Sequence, residues 1–87
     1  MDRATILLPN FDNELVLPIT FHWLRKNVDC TKVHFLMVDD GSEDASVAVA
    51  KQEVPRCGFA SSEIIERKHE GIVPTLNCAL RMVSRLS

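Results

Sequence analysis

The sequence contains no stretch long enough to span a membrane, no surplus of basic charge, no cysteine pair and no glycine-rich phosphate loop. Its apolar runs fall far short of the ~20 residues of a spanning helix. Met1 is followed by Asp2, Arg3 and only a short, mostly apolar run, unlike a secretory leader. Neither export nor anchoring is expected from these residues. Ten Lys and Arg stand against 12 Asp and Glu, a net charge of -2. Phosphate backbones and anionic lipids bind concentrated positive charge, so neither a nucleic acid nor a membrane surface is an expected partner. Cys30, Cys57 and Cys78 are odd in number and show no Cys-x-x-Cys spacing, which excludes a disulfide framework and a zinc knuckle and suits reduced thiols in the cytoplasm. His22, His34 and His69 lack a His-x-x-x-His spacing and read as packed or solvated imidazoles rather than metal ligands.

What is present is one small globular chain. Eighty-seven residues with 46% hydrophobic and 25% charged content suit a single core of ordinary composition. A chain of this size buries only about 60–65% of the surface that its unfolded form exposes, which leaves a thin margin of stability.

Two compact runs read as buried strands because turn residues stop them: Ala4 to Leu8 before Pro9, and Val33 to Val38 before Asp39-Asp40-Gly41-Ser42. Between them Leu17, Phe21, Leu24 and Val28 recur at helical spacing, with Asn13 placed to cap and Pro18 tolerable in the first turn, which predicts a helix ending near Asn27. A second helix, capped by Asp44 and carrying Val47, Ala48, Ala50 and Lys51, is expected to stop at Pro55. Ser62 to Arg67 is a shorter strand candidate. From Pro74, the positions Leu76, Ala79, Leu80 and Val83 give a third helix one apolar face, with Arg81 and Arg85 near its negative end. Trp23 and Met82 read as packing residues on their helices. This strand-helix alternation predicts an α/β fold with a parallel sheet and right-handed crossovers.

Open parallel sheets bind ligands outside the carboxyl ends of their strands. The polarity of this sequence collects there, in Pro9 to Glu14, Asp39 to Asp44 and Lys68 to Gly71. Side chains alternate along a strand, so Asp39 and Asp40 should point in different directions, one toward a ligand and the other ordering the loop. A carboxylate in that position accepts the imide N–H of a uracil ring or holds a metal, and the same pair also suits two solvated turn aspartates. Gly41 permits a tight turn with positive φ. Phe11, in a polar loop, offers a face to a base or covers the core.

Three spaced motifs carry a resemblance: Ile6-Leu7-Leu8-Pro9-Asn10-Phe11-Asp12-Asn13-Glu14; Phe35-Leu36-Met37-Val38-Asp39-Asp40-Gly41-Ser42-Glu43-Asp44; and Gly71 with Leu76-Asn77-Cys78-Ala79-Leu80. From about Ala4 to Leu86 the chain resembles the amino-terminal half of the family-2 inverting glycosyltransferases of the GT-A fold. The resemblance implies a three-layer Rossmann-like βαβαβα sheet, part of the GT-A nucleotide-diphospho-sugar transferase fold, with residues 1–87 as one unit at the amino-terminal end of a larger domain. It also implies transfer of a sugar from a UDP- or GDP-type donor to an acceptor. Carried over by position, Pro9 and Phe11 line the base, Phe11 standing where the family usually has tyrosine. Asp40 accepts the base N3–H, Asp39 supports the loop, Glu14 closes the first motif of the nucleotide site, and Lys68 approaches phosphate. Ala79 replaces a frequent glycine.

The family's next strand ends in Asp-x-Asp, which holds Mn or Mg on the diphosphate, and a later carboxylate acts as base. This sequence has no aspartate after Asp44. The expectation is therefore a chain that keeps nucleotide recognition, holds no metal by itself and is catalytically inactive alone. The alternative is a non-catalytic nucleotide-binding module or structural remnant. A receiver domain would need a phosphoacceptor aspartate on a later strand, and a dinucleotide-binding half-domain would need Gly-x-Gly-x-x-Gly where Pro9-Asn10-Phe11 stands. Because the family's next strand pairs with the first, Ala4 to Leu8 is expected to present an unpaired apolar edge open to self-association.

Overall fold

The computed structural model describes residues 4–86, with side chains through Val83; Met1, Asp2, Arg3, Ser87 and the side chain of Arg85, an expected cation near the end of the last helix, lie outside what is described. In chain order the elements are β1 (Ala4–Asn10), α1 (Leu17–Asn27), a short 3-10 turn (Cys30–Lys32), β2 (Val33–Asp40), α2 (Ser46–Cys57), β3 (Ser61–Arg67) and α3 (Ile72–Leu86). The strands form one parallel sheet in the order β1-β2-β3. β2 is central and buried along nearly its whole length, which explains why it reads as a continuous apolar run rather than an alternating one.

Strand alternation divides β2 between two cores. Phe35 and Met37 face Leu17, Phe21 and Leu24 of α1 and Ala50 and Val54 of α2. Leu36 and Val38 face Ala79 of α3, with Leu7, Ile65, Cys78, Met82 and Val83 around them. The result is the expected three-layer α/β arrangement, two helices on one face and one on the other. Phe35 anchors the first core between Phe21 (ring centroids 5.5 Å apart) and Phe59 (4.7 Å, nearly parallel). Glu53 joins the two helices above it, accepting from Arg25 of α1 at 2.8 Å and Arg56 of α2 at 3.0 Å.

The element ends depart from expectation for local reasons. β1 runs through Pro9 to Asn10, because a strand paired on one side tolerates a missing N–H. β2 likewise includes both aspartates. α2 passes Pro55 and ends at Cys57, where Gly58 adopts φ 72°. Proline forfeits a single helical hydrogen bond and crowds one carbonyl, a cost confined here to the last turn, and the left-handed glycine is the true stop. α3 begins at Ile72, two residues before Pro74, which occupies its first turn. Asn13 does not cap α1; its backbone carbonyl accepts from Val16 and Leu17 at 3.0 Å in a turn ahead of the helix.

Two residues expected to pack lie outside the core. Trp23 is 58% exposed, about 200° around α1 from Phe21, and Leu80 is 56% exposed, about 100° around α3 from Ala79. All three cysteines are free thiols. Among the described residues no helix is long and apolar enough to cross a membrane.

Candidate functional site

The two aspartates at the end of β2 diverge as the pleat requires. Asp39 continues the face of Phe35 and Met37, and Asp40 continues that of Leu36 and Val38. Both are buried, with exposures of 1% and 4%. A buried carboxylate must be hydrogen-bonded, and each finds its donors in a different loop.

Asp39 orders the first two loops. Its Oδ1 accepts from Asn10 Nδ2 at 2.9 Å and from Ser42 Oγ at 2.6 Å, and its Oδ2 accepts the Ser42 backbone N–H at 2.9 Å. The Ser42 hydroxyl in turn accepts the Asp12 N–H at 2.9 Å, while the Asp12 carboxylate accepts from Glu43 N at 2.8 Å. Asp12 reaches this position at φ 48°, a conformation that aspartate tolerates better than most residues. Asp44 then accepts from Glu14 N at 3.1 Å and from Ser46 N at 2.8 Å, so it serves the start of α2 while holding the loop before α1. Burial pushes the Asp44 carboxyl up, but hydrogen bonds from Ser46 and Glu14 outweigh this and hold it below its ordinary value.

Asp40 orders the third loop. Its oxygens accept the backbone N–H groups of Glu70 at 2.8 Å and Gly71 at 3.0 Å, where the chain enters α3. His69 Nδ1 lies 2.9 Å from Asp40 Oδ2 and 3.0 Å from the Asp40 carbonyl oxygen. The Glu70 N–H is the main cause that holds the Asp40 carboxyl below the usual carboxylate range, with the nearby Thr75 hydroxyl, Gly71 and His69 adding to it against burial. The His69 pKa is raised, first by the bond to the Asp40 carbonyl and then by the Asp40 charge. Gly41 makes this closeness possible. It sits at φ 68°, and a Cβ there would lie 2.5 Å from the His69 backbone nitrogen.

Between the first and third loops lies a cleft of about 270 Å³, walled by Pro9, Asn10, Phe11, Asp40, His69 and Thr75. The Phe11 ring is 41% exposed and stacks on His69 with centroids 4.4 Å apart and planes 22° from parallel. At the cleft floor Thr75 is fully buried, and its hydroxyl forms no hydrogen bond of normal geometry. The volume lies just under the ~300–1,000 Å³ of complete small-molecule sites, which suits one planar portion of a larger ligand.

Pro9, Phe11 and Asp40 thus meet in one cleft. Asp39 stands behind it and anchors the first two loops, on the opposite face of the strand from Asp40. Glu14 faces a separate hollow with Asp12, Leu15 and Asp44, and Lys68 is exposed outside the cleft wall. His69, read from sequence as packed or solvated, is the residue that sequence reasoning missed. The available signal was its place in a third loop at the same end of the sheet as Phe11 and Asp40. Asn10, Ser42 and Thr75 were missed as well, since nothing in their spacing marks them.

Among the described residues no three His, Cys, Asp or Glu converge to hold a metal ion. The carboxylates of Asp39 and Asp40 are already engaged by N–H and O–H donors. The divalent ion that the resemblance implies therefore does not fit these residues.

Three parallel strands alternating with helices, with a buried carboxylate and an aromatic ring at the carboxyl end of the sheet, define a Rossmann-like α/β domain. The family model described as Glycosyl transferase family 2 matches residues 5–85, and the chain belongs to that family. Among solved structures it is similar to the mannosyltransferase PcManGT from Pyrobaculum calidifontis, determined in complex with GDP-Man and Mn2+, with a TM-score of 0.78 and 18% sequence identity. The match covers 92% of this chain and 24% of that one, so the chain spans about a quarter of that enzyme's length. At this identity the likeness shows the fold, a partial GT-A domain. No protein of curated function matches the chain.

Proposed function

We propose that residues 1–87 form the amino-terminal nucleotide-recognition part of a glycosyltransferase domain, and that the cleft receives the base of a UDP- or GDP-type sugar donor. The observation that carries this reading is Asp40: a carboxylate 4% exposed and held charged, on the wall of a cleft that also offers the Phe11 ring. Each carboxylate oxygen has two lone pairs, so Asp40 has room for one more donor, and a planar imide N–H is the donor that fits a slot beside an aromatic face. Uracil presents such a group at N3 and guanine at N1. Pro9 lines the same slot and Asp39 fixes the loops around it; Lys68 lies outside the cleft wall, available to phosphate, and Glu14 faces the neighbouring hollow, away from the base.

We assign no metal to this chain alone. The complete family domain is expected to use Mn or Mg, supplied with ligands from an Asp-x-Asp that this sequence does not contain. The chain by itself is therefore expected to bind nucleotide without transferring sugar. Three free thiols favour the cytoplasm as its compartment.

Calorimetric titration of UDP and GDP into the 87-residue chain and into Phe11→Ala tests the reading. Base–aromatic stacking is worth about 1–3 kcal/mol, so the variant is expected to bind roughly 5- to 150-fold more weakly. Equal affinity in both proteins would remove Phe11 from the site, and no heat at millimolar ligand would favour a structural remnant. Incubation with UDP- and GDP-sugars and manganese should give no product, and robust turnover would contradict the assignment of recognition alone.

A further inference from the structure

His69 holds both features that the proposed base would use. Its ring lies on Phe11 at 4.4 Å and 22°, the geometry of a stacked base, and its Nδ1–H points at the Asp40 carboxylate at 2.9 Å, as an imide N–H would. The imidazole is a flat heteroaromatic ring with one N–H aimed at a buried carboxylate, so it imitates a nucleobase in shape and in hydrogen bonding. We propose that His69 is the cleft's built-in stand-in for the base, and that a nucleoside enters by exchanging with it on Phe11 and Asp40. This inference rests on the base-site reading above.

The exchange is feasible because the ring is tethered only through its own loop. The His69 side chain is 57% exposed, while Asp40 stays fixed by the Glu70 and Gly71 amides whether or not the imidazole is present. Displacing the ring therefore uncovers Asp40 without leaving that carboxylate unpaired. The Thr75 hydroxyl, buried and with no hydrogen bond of normal geometry, lies on the same cleft wall as a further polar contact for the incoming base.

A neutral base must compete with whatever charge the imidazole carries. The groups facing His69 are Asp40 from the end of β2 and Asp12 from the loop after β1, both acidic, together with its own neighbours Lys68 and Glu70; the start of α3 contributes Gly71 and Ile72, which are uncharged. The acidic pair favours imidazolium, and imidazolium binds Asp40 and the Phe11 face more strongly than neutral imidazole does. Raising the pH through the His69 titration weakens the stand-in and strengthens the ligand. An exposed ion pair contributes little, so the gain is expected to be about 1.5- to 5-fold in affinity.

The test uses uridine and guanosine, which carry no titrating phosphate, added to the 87-residue chain between about pH 5.5 and 8.5, on either side of the ordinary histidine pKa of about 6.5. The readouts are the Phe11 ring and the Glu70 and Gly71 amide resonances. Affinity should rise with pH in the natural chain, while His69→Ala and His69→Gln bind with no pH dependence and His69→Ala binds more tightly. By reciprocity, saturating nucleoside should lower the His69 pKa toward its ordinary value. A pH-independent affinity in the natural chain, or weaker binding by His69→Ala, would overturn the exchange while leaving the base site standing. No perturbation in either protein would overturn the base site and the exchange with it.

Discussion

Asn10, the last residue of β1, donates its side-chain amide to Asp39 of β2 at 2.9 Å, between two positions that are register partners in the parallel ladder. The bond closes the carboxyl end of the sheet where backbone pairing runs out, and Ser42 folds back on the same carboxylate. The loops that wall the cleft therefore start from a fixed point. Replacing Asp39 by Ala leaves the Ser42 N–H without its acceptor and the buried Asn10 amide with only the longer contact to Ser42 Oγ at 3.4 Å, a loss of about 1–3 kcal/mol for each group so weakened. Urea unfolding of Asp39→Ala should show a lowered midpoint with an unchanged slope, and a midpoint equal to that of the natural chain would show that Asp39 does not anchor the loops.

Gly41 carries two demands at once, a positive φ and the close approach of the His69 backbone. Gly41→Ala must meet a left-handed penalty of about 1–2 kcal/mol and push the third loop away from Asp40. The expected outcome is a lower melting temperature together with large shifts of the Glu70 and Gly71 amide resonances. Shifts confined to residues 40–42 would contradict the contact.

Phe35 sits between Phe21 and Phe59 in the larger core. Phe35→Ala removes a fully packed ring, and such truncations cost about 3–5 kcal/mol. Small domains are stable by about 5–15 kcal/mol, and this one buries little surface, so the variant is expected to be largely unfolded at 37 °C by circular dichroism. Native-like melting would mean that the core lies elsewhere.

Stability should fall on both sides of a mildly acidic optimum. The Asp29 and Asp40 carboxyls lie below their ordinary 3.8, and Glu53 lies below its ordinary 4.5, held mainly by the Thr31 hydroxyl, the Glu70 N–H and Arg25 respectively. Groups so lowered stabilise the fold above their ordinary values, and that contribution is lost as pH drops through the folded ones. His69 is shifted the other way, so its contribution is complete below 6.5 and disappears as pH rises through its elevated folded value. Urea midpoints measured from about pH 3 to 8 should therefore peak between about 5 and 6.5; a midpoint still climbing above neutrality would contradict the His69–Asp40 pairing.

β1 pairs only with β2 among the described residues, and apart from Thr5 and Asn10 its sequence Ala4–Asn10 is apolar. The other edge strand, β3, carries Glu63, Glu66 and Arg67, the charges that discourage edge-to-edge pairing. We propose that a second copy of the chain pairs along β1. Sedimentation should show association at high concentration that Thr5→Lys weakens, and a monomer at every concentration would contradict it.

The layers were legible in the sequence because apolar spacing reports which face of an element is buried. Leu17, Phe21 and Leu24 announced α1, and Phe35 to Val38 announced a strand covered on both sides. Element ends were less legible: Pro9 and Pro55 are strong breakers in isolation, yet an edge strand and a last helical turn absorb them. The divergence of Asp39 and Asp40 followed from strand geometry alone. His69 did not, since its role depends on three loops meeting in space, and no local pattern encodes which residue of one loop lands on Phe11 of another.

In the proposed complex a base lies against Phe11 with its N–H on Asp40. Intermolecular nuclear Overhauser contacts between the base protons of bound UDP and the Phe11 ring test it most directly. Such contacts are expected in the natural chain, and they should be lost, together with saturable binding, in Asp40→Asn. Saturable UDP binding with base contacts to the hollow at Glu14 and Leu15, and none to Phe11, would contradict it.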